Sequence, residues 1–146
     1  MTTQPQSPYR RRVFYYETDR MGIVHHANYI RWMEEARLDF MGKAGLSYRE
    51  MEAQGIIMPV VSVDCRYITS LHFDEEFEVR TRLTAFNGVR AAYSYGIYRA
   101  ADGVLAAEGE SSHCFLNETR RNPVSLKKAY PAFYEKSMLL LRESKS

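Results

Sequence analysis

The chain has 146 residues, 45% of them apolar and 13% aromatic, which is enough for one packed domain and too apolar for a disordered segment. Its net charge of +2 gives no whole-surface attraction for nucleic acid. No apolar run has the length of a signal core or a membrane span, so a cytoplasmic protein without membrane insertion is expected.

Residues 1–8 are polar and contain two prolines, and they read as a flexible tail ahead of a single domain over 9–146. Arg10-Arg11-Arg12-Val13-Phe14-Tyr15-Tyr16 reads as a first strand, its arginines a solvated run rather than a phosphate site. The chain then breaks at Gly22, having gathered Asp19, and carries His25 and His26 into a helix. Tyr29, Trp32, Met33, Ala36 and Phe40 recur at three- and four-residue steps, which predicts a helix over 29–42, with Asn28 as N-cap and Gly42 as stop. Glu34 and Arg37, one turn apart on it, are expected to form a partly buried pair. Ser47 with Glu50 three residues later fits a capping box for a short helix over 48–54.

From residue 56 the period changes to two. Val61, Val63, Cys65 and Tyr67 alternate with polar residues, predicting a strand with one covered face. Phe77, Val79, Thr81, Leu83 and Ala85 repeat the pattern. Asn87-Gly88 predicts a type I′ hairpin turn, and Tyr93, Tyr95 and Ile97 mark the return strand. Asp102-Gly103 is a second turn, followed by a last long strand over 104–116. Leu126, Tyr130, Phe133, Tyr134, Met138 and Leu141 then give a C-terminal helix over 125–142.

These elements make an α+β domain: a five-stranded antiparallel sheet wrapped around one long central helix, with a C-terminal helix, which is the hotdog architecture. One helix leaves sheet edge and surface uncovered, so association with another copy, a dimer at least, is expected. The 11 tyrosines suit such half-buried surfaces. Cys65 and Cys114 lie far apart in strand-like segments and read as two free thiols of a reducing compartment. No metal site is expected: His25 and His26 are adjacent, and His72 and His113 are isolated.

Arg12-Val13, four residues, Thr18-Asp19, two residues, Gly22-Ile23-Val24, one residue, His26, two residues and Tyr29 together resemble the signature of the 4-hydroxybenzoyl-CoA thioesterase family. Trp32-Met33-Glu34-Glu35-Ala36-Arg37 is also similar to the Tol-Pal-associated bacterial acyl-CoA thioesterases. The resemblance implies hydrolysis of an acyl-CoA thioester without a cofactor, by a homodimer or homotetramer. Asp19 would attack the thioester or activate water, Gly22 would allow close backbone approach, and the backbone N–H of His26 would polarise the carbonyl. The His26 imidazole falls at a His-or-Phe position, where it serves as an orienting group or a proton donor to the leaving thiolate. His25 is read as packing or substrate contact, and Asn28 as holding a water or positioning Asp19. Glu17 stands where many relatives carry Asp, at the expected pocket mouth. Glu34 offers a rival carboxylate on the helix. The acyl pocket is expected near Tyr29, Met33, Met58 and Val60. The CoA phosphates would meet Arg90, Arg120, Arg121, Lys127 and Lys128, drawn from two subunits. An acyl carrier protein thioester is an alternative substrate; a hydratase or dehydratase, and a non-catalytic acyl-thioester-binding scaffold, are alternative functions.

Overall fold

The structure, a computed structural model, describes residues 7–144, so most of the expected 1–8 tail lies outside the described residues. In chain order the elements are β1 (Tyr9–Arg12), α1 (Ala27–Lys43), α2 (Tyr48–Ala53), β2 (Ile56–Ile57), β3 (Val60–Tyr67), β4 (Glu76–Phe86), β5 (Arg90–Arg99), β6 (Leu105–Cys114), β7 (Leu116–Asn117), α3 (Leu126–Ala129) and α4 (Pro131–Ser144). Five strands pair antiparallel in the order β1-β4-β5-β6-β3, and β2 pairs with β7 beside them. This is the expected hotdog arrangement.

The register sorts side chains by face, because successive residues of a strand alternate. Val79, Ile97 and Ala107 stand in one cross-strand row, as do Leu83, Tyr93 and Ser111, and all six are buried. Against this face α1 lays Tyr29, Trp32, Met33, Ala36, Arg37, Phe40 and Met41. The Trp32 ring lies 4.1 Å from that of Phe77, and Phe40 meets Tyr93 edge-on at 6.0 Å. At the β4–β5 turn, Leu126 donates its N–H to the Gly88 carbonyl, and Phe133 packs against Phe86 and Phe115.

Several local expectations are corrected. The first strand ends at Arg12, and Tyr15–Glu17 form a 3₁₀ turn, because the Glu17 carboxylate accepts the Phe14 N–H and draws the chain out of the ladder. The N-cap of α1 is His26, while Asn28 is buried within the first turn. Gly42 does not stop α1; the chain leaves it through Gly45 at φ +75°, with Leu46 N–H bonded to the Met41 carbonyl and Gly45 N–H to that of Gly42, a Schellman ending. The Ser47 cap holds: its hydroxyl accepts the Glu50 N–H at 3.3 Å.

β3 has no fully covered face within the chain. It is the sheet edge, and only Cys65 is even half-buried. In the β4–β5 turn only Gly88 has positive φ, as a II′-type turn needs, because the Asn87 side chain itself accepts the N–H groups of Val89 and Arg90. The last strand stops at Cys114, and Leu116–Asn117 pair with β2 instead. The terminal helix is two helices, since Pro131 forces Tyr130 out of helical conformation.

Candidate active site

The Asp19 turn is a miniature hairpin that carries its own lock. Asp19 N–H donates to the Ile23 carbonyl, Thr18 bridges Val24, and His25 N–H donates to the Glu17 carbonyl at 2.8 Å. Gly22, at φ +78°, turns the chain, and its N–H reaches the Asp19 carbonyl. One carboxylate oxygen of Asp19, Oδ1, accepts the N–H groups of Met21 (2.8 Å) and Ile23 (3.3 Å). Its Oδ2 bonds to no described residue, and the side chain is exposed. Asp19 is thus both a turn cap and a carboxylate with one open oxygen. The hairpin is pinned to the segment after β3 by Val24 N–H on the Leu71 carbonyl and Phe73 N–H on that of Gly22.

The second limb of this hairpin runs into α1, where a helix start exposes unpaired donors. His25 Nδ1 accepts the Ala27 N–H, the His25 carbonyl accepts that of Asn28, and the His26 carbonyl accepts that of Tyr29. The His26 N–H alone in residues 25–29 meets no acceptor among the described residues. Beside it lies a cleft of about 250 Å³ lined by Val24, His26, Tyr29, Tyr67, Ile68, Thr69 and Ser70. Tyr67, at the end of β3, donates its hydroxyl to the His26 carbonyl at 3.1 Å and holds this helix start to the sheet edge. The Tyr29 hydroxyl accepts the Leu71 N–H, and the His25 and His26 rings stack 4.4 Å apart. Burial pushes the Tyr29 and Tyr67 hydroxyls and the Cys65 thiol above their ordinary values, so all three stay neutral near pH 7.

The other expected residues divide between two ends of the sheet. Met33 lies deeper along α1, with Gly109 beneath it, and Met58 is buried. Val60 pairs with His113, and Arg90 with Cys114, whereas Tyr67 pairs with Ala107. Seven steps along β3 are about 23 Å, so Val60 and Arg90 sit far from the His26 cleft. Arg120 and Arg121 belong to the turn after β7, and Lys127 and Lys128 to α3, at that same far end. Within one chain these cations do not converge on Asp19. Asn28 spends its amide on the Glu17 carbonyl at 2.9 Å rather than on Asp19.

Three relationships were not legible beforehand. Glu17 is not at a pocket mouth; it is 3% exposed, and its carboxylate accepts from Arg11 Nη2 (2.6 Å), the Phe14 N–H and Trp32 Nε1 (2.9 Å). Arg11 is accordingly no solvated charge, since it also binds Glu35 and lies 4.1 Å over the Phe14 ring. Arg37 does not pair with Glu34 but donates to the Tyr95 hydroxyl, which continues through Ser111 to His113 Nε2. Burial, and then the Arg37 charge, lower the His113 imidazole to about 4, partly offset by the Pro59 carbonyl.

With this geometry in view, the comparisons fall into one group. A family model described as the thioesterase-like superfamily matches residues 13–136. YneP of Bacillus subtilis, whose name provisionally assigns acyl-CoA thioesterase activity, is 39% identical over 128 residues, covering 86% of this chain and 92% of its own. The acyl-CoA thioester hydrolase YbgC of Escherichia coli O6:H1 is 25% identical, covering 85% and 92% respectively. A crystal structure of a DHNA-CoA thioesterase from Staphylococcus aureus superposes with a TM-score of 0.90 at 33% identity, covering 95% of this chain and 93% of that one.

Proposed function

The chain belongs to the thioesterase-like superfamily, and from that premise we propose that it hydrolyses an acyl-CoA thioester to the free acid and CoA, without a cofactor. The observation that carries the proposal is the unspent His26 N–H beside a cleft, in a helix turn whose neighbouring N–H groups are all bonded. A thioester oxygen received there gains a donor at the positive end of α1, where negative charge developing in the transition state is stabilised. Asp19 Oδ2 supplies the other half of the reaction. It attacks the acyl carbon itself, giving a mixed anhydride that water then hydrolyses to release the acid and restore Asp19, or it takes the proton of a water that attacks directly. In either course the C–S bond breaks, and the thiolate leaves as CoA and gains a proton. The superfamily names acyl-CoA relatives, and the Thr18-Asp19 to Tyr29 motif supports the 4-hydroxybenzoyl-CoA branch within it.

A second copy completes the site in this proposal. β3 offers an unpaired edge with Val60, Val61, Val63 and Tyr67 exposed, a surface that invites another strand. Antiparallel pairing of β3 with its counterpart sets the Val60 end of one copy beside the Tyr67 end of the other. The basic far end, with Arg90, Arg120, Arg121, Lys127 and Lys128, then approaches the partner's cleft, where CoA phosphates need cations. The two free cysteines suit the cytoplasm.

Thiol release measured over a panel of aromatic and aliphatic acyl-CoAs tests the proposal. Turnover of at least one class is expected. No turnover across the panel by a folded protein contradicts CoA thioester hydrolysis, and the same assay on acyl carrier protein thioesters or a binding titration then distinguishes the alternatives.

A further inference from the structure

We infer that Glu17 is the positioning residue of this site, holding the Asp19 turn in fixed register with the His26 N–H. The inference deepens the hydrolase proposal and rests on it. Asp19 and His26 lie on opposite limbs of the small hairpin, whose rungs are Asp19–Ile23, Thr18–Val24 and Glu17–His25. The last rung is the one nearest His26, and Glu17 makes it with its carbonyl. The same carbonyl takes the Asn28 side chain, so one oxygen holds two residues of the α1 start, on either side of His26.

The side chain fixes that carbonyl in place. Both carboxylate oxygens are used: Oε1 by Arg11 and the Phe14 N–H, Oε2 by Trp32 Nε1, which belongs to α1 itself. Glu17 therefore grips α1 twice, through Trp32 with its side chain and through Asn28 with its backbone. Arg11, with 11% of its side chain exposed, supplies the counter-charge that a buried carboxylate needs. Its other terminal nitrogen reaches Glu35, whose side chain is 40% exposed and bonds to neither Glu17 nor the Asp19 turn. Glu17 is buried with both carboxylate oxygens bonded, whereas Asp19 is exposed with one oxygen open, so Glu17 acts through Asp19 and His26 and not on substrate. A buried carboxylate accepting three charge-assisted or directed bonds is stiff where a turn cap alone is not.

Glu17→Gln tests this, because an amide matches the carboxylate in shape but turns one of its oxygens into a donor facing another donor. Trp32→Phe removes the Nε1 donor while leaving Glu17 intact. Glu35→Gln disturbs the same Arg11 pair from its outer side and serves as the comparison. With an acyl-CoA that the wild type hydrolyses, well below each variant's melting temperature, kcat should fall about ten- to hundredfold in Glu17→Gln with KM within about threefold, since a misplacement near 1 Å has that effect. Trp32→Phe should shift kcat the same way, and Glu35→Gln should keep kcat within about twofold. Amide hydrogen exchange of residues 19–26 should quicken in Glu17→Gln and not in Glu35→Gln. Unchanged exchange in Glu17→Gln overturns the tie whatever the activity, and a kcat within twofold of wild type, or a loss that Glu35→Gln shares, overturns the positioning role. Wild-type inactivity on all thioesters instead removes the hydrolase proposal, and the role with it, even where exchange reveals the tie.

Discussion

Taking the solution from pH 7 to pH 5 leaves most folded proteins of this size intact, yet here it meets a buried imidazole. His113 is fully buried, bonded at Nε2 to Ser111, edge-on to Tyr93 at 5.6 Å, and close enough to Arg37 to feel its charge. Its value of about 4 in the folded chain lies below the unfolded 6.5, so the unfolded state binds the proton first. The stability this neutral ring allows is fully present above pH 6.5 and is lost as pH falls from there toward 4. At 1.36 kcal/mol per unit, the loss between pH 7 and 5 is about 2 kcal/mol, rising to about 3 kcal/mol at pH 4. Denaturant unfolding of wild type and His113→Gln at both pH values isolates the effect, because the carboxylates common to both cancel in the difference. Wild type should lose about 2 kcal/mol more than the variant between pH 7 and 5. Parallel losses in the two proteins refute the reasoning.

Gly109→Ala should lower stability by about 2 kcal/mol or more, since an added Cβ collides with the Asp64 carbonyl oxygen of β3 and comes within 2.8 Å of Met33 Cε; a thermal melt unchanged from wild type contradicts this. Val63→Lys places a charge midway along the exposed β3 edge and should lower the mass seen by light scattering relative to the wild type, as the proposed pairing through this edge requires; a wild type already monomeric contradicts the composite site. His26→Ala should keep activity within about tenfold of wild type, while His26→Pro, at a φ of −54° that proline accepts, should reduce kcat about a hundredfold by deleting the N–H. Equal losses in the two variants would give the role to the imidazole instead.

The periodic parts of this chain were legible in its sequence because local pattern and burial coincide there. Alternation in β4 and β5 and the three-to-four spacing of Tyr29, Trp32, Met33 and Ala36 mark the sheet and its helix, and both stand as expected. Alternation misled in β3, since Val63, Cys65 and Tyr67 carry an apolar face that this chain does not cover. Pro131 was a visible signal for splitting the terminal helix, and the run of apolar spacing across it masked the break. At the site, Asp19, Gly22 and His26 were singled out by the resemblance of their motif to a known family, but what each group spends its bonds on was not legible. Glu17 meets Trp32 across fifteen residues and Arg37 meets Tyr95 across fifty-eight, and no local period connects such partners. Asn28 looked like a cap because caps and first-turn residues share a composition; only the Glu17 carbonyl distinguishes them.

The most direct measurement is thiol release by Asp19→Asn beside wild type, on whichever acyl-CoA the wild type hydrolyses best. The substitution is conservative for the fold, because an asparagine Oδ1 still accepts the Met21 and Ile23 N–H groups while the open carboxylate oxygen is lost. The account predicts a fall in kcat on the order of a thousandfold with acyl-CoA binding and thermal stability retained. Turnover by Asp19→Asn at the wild-type rate would contradict it, and would move the search for the reacting carboxylate to Glu34 on α1.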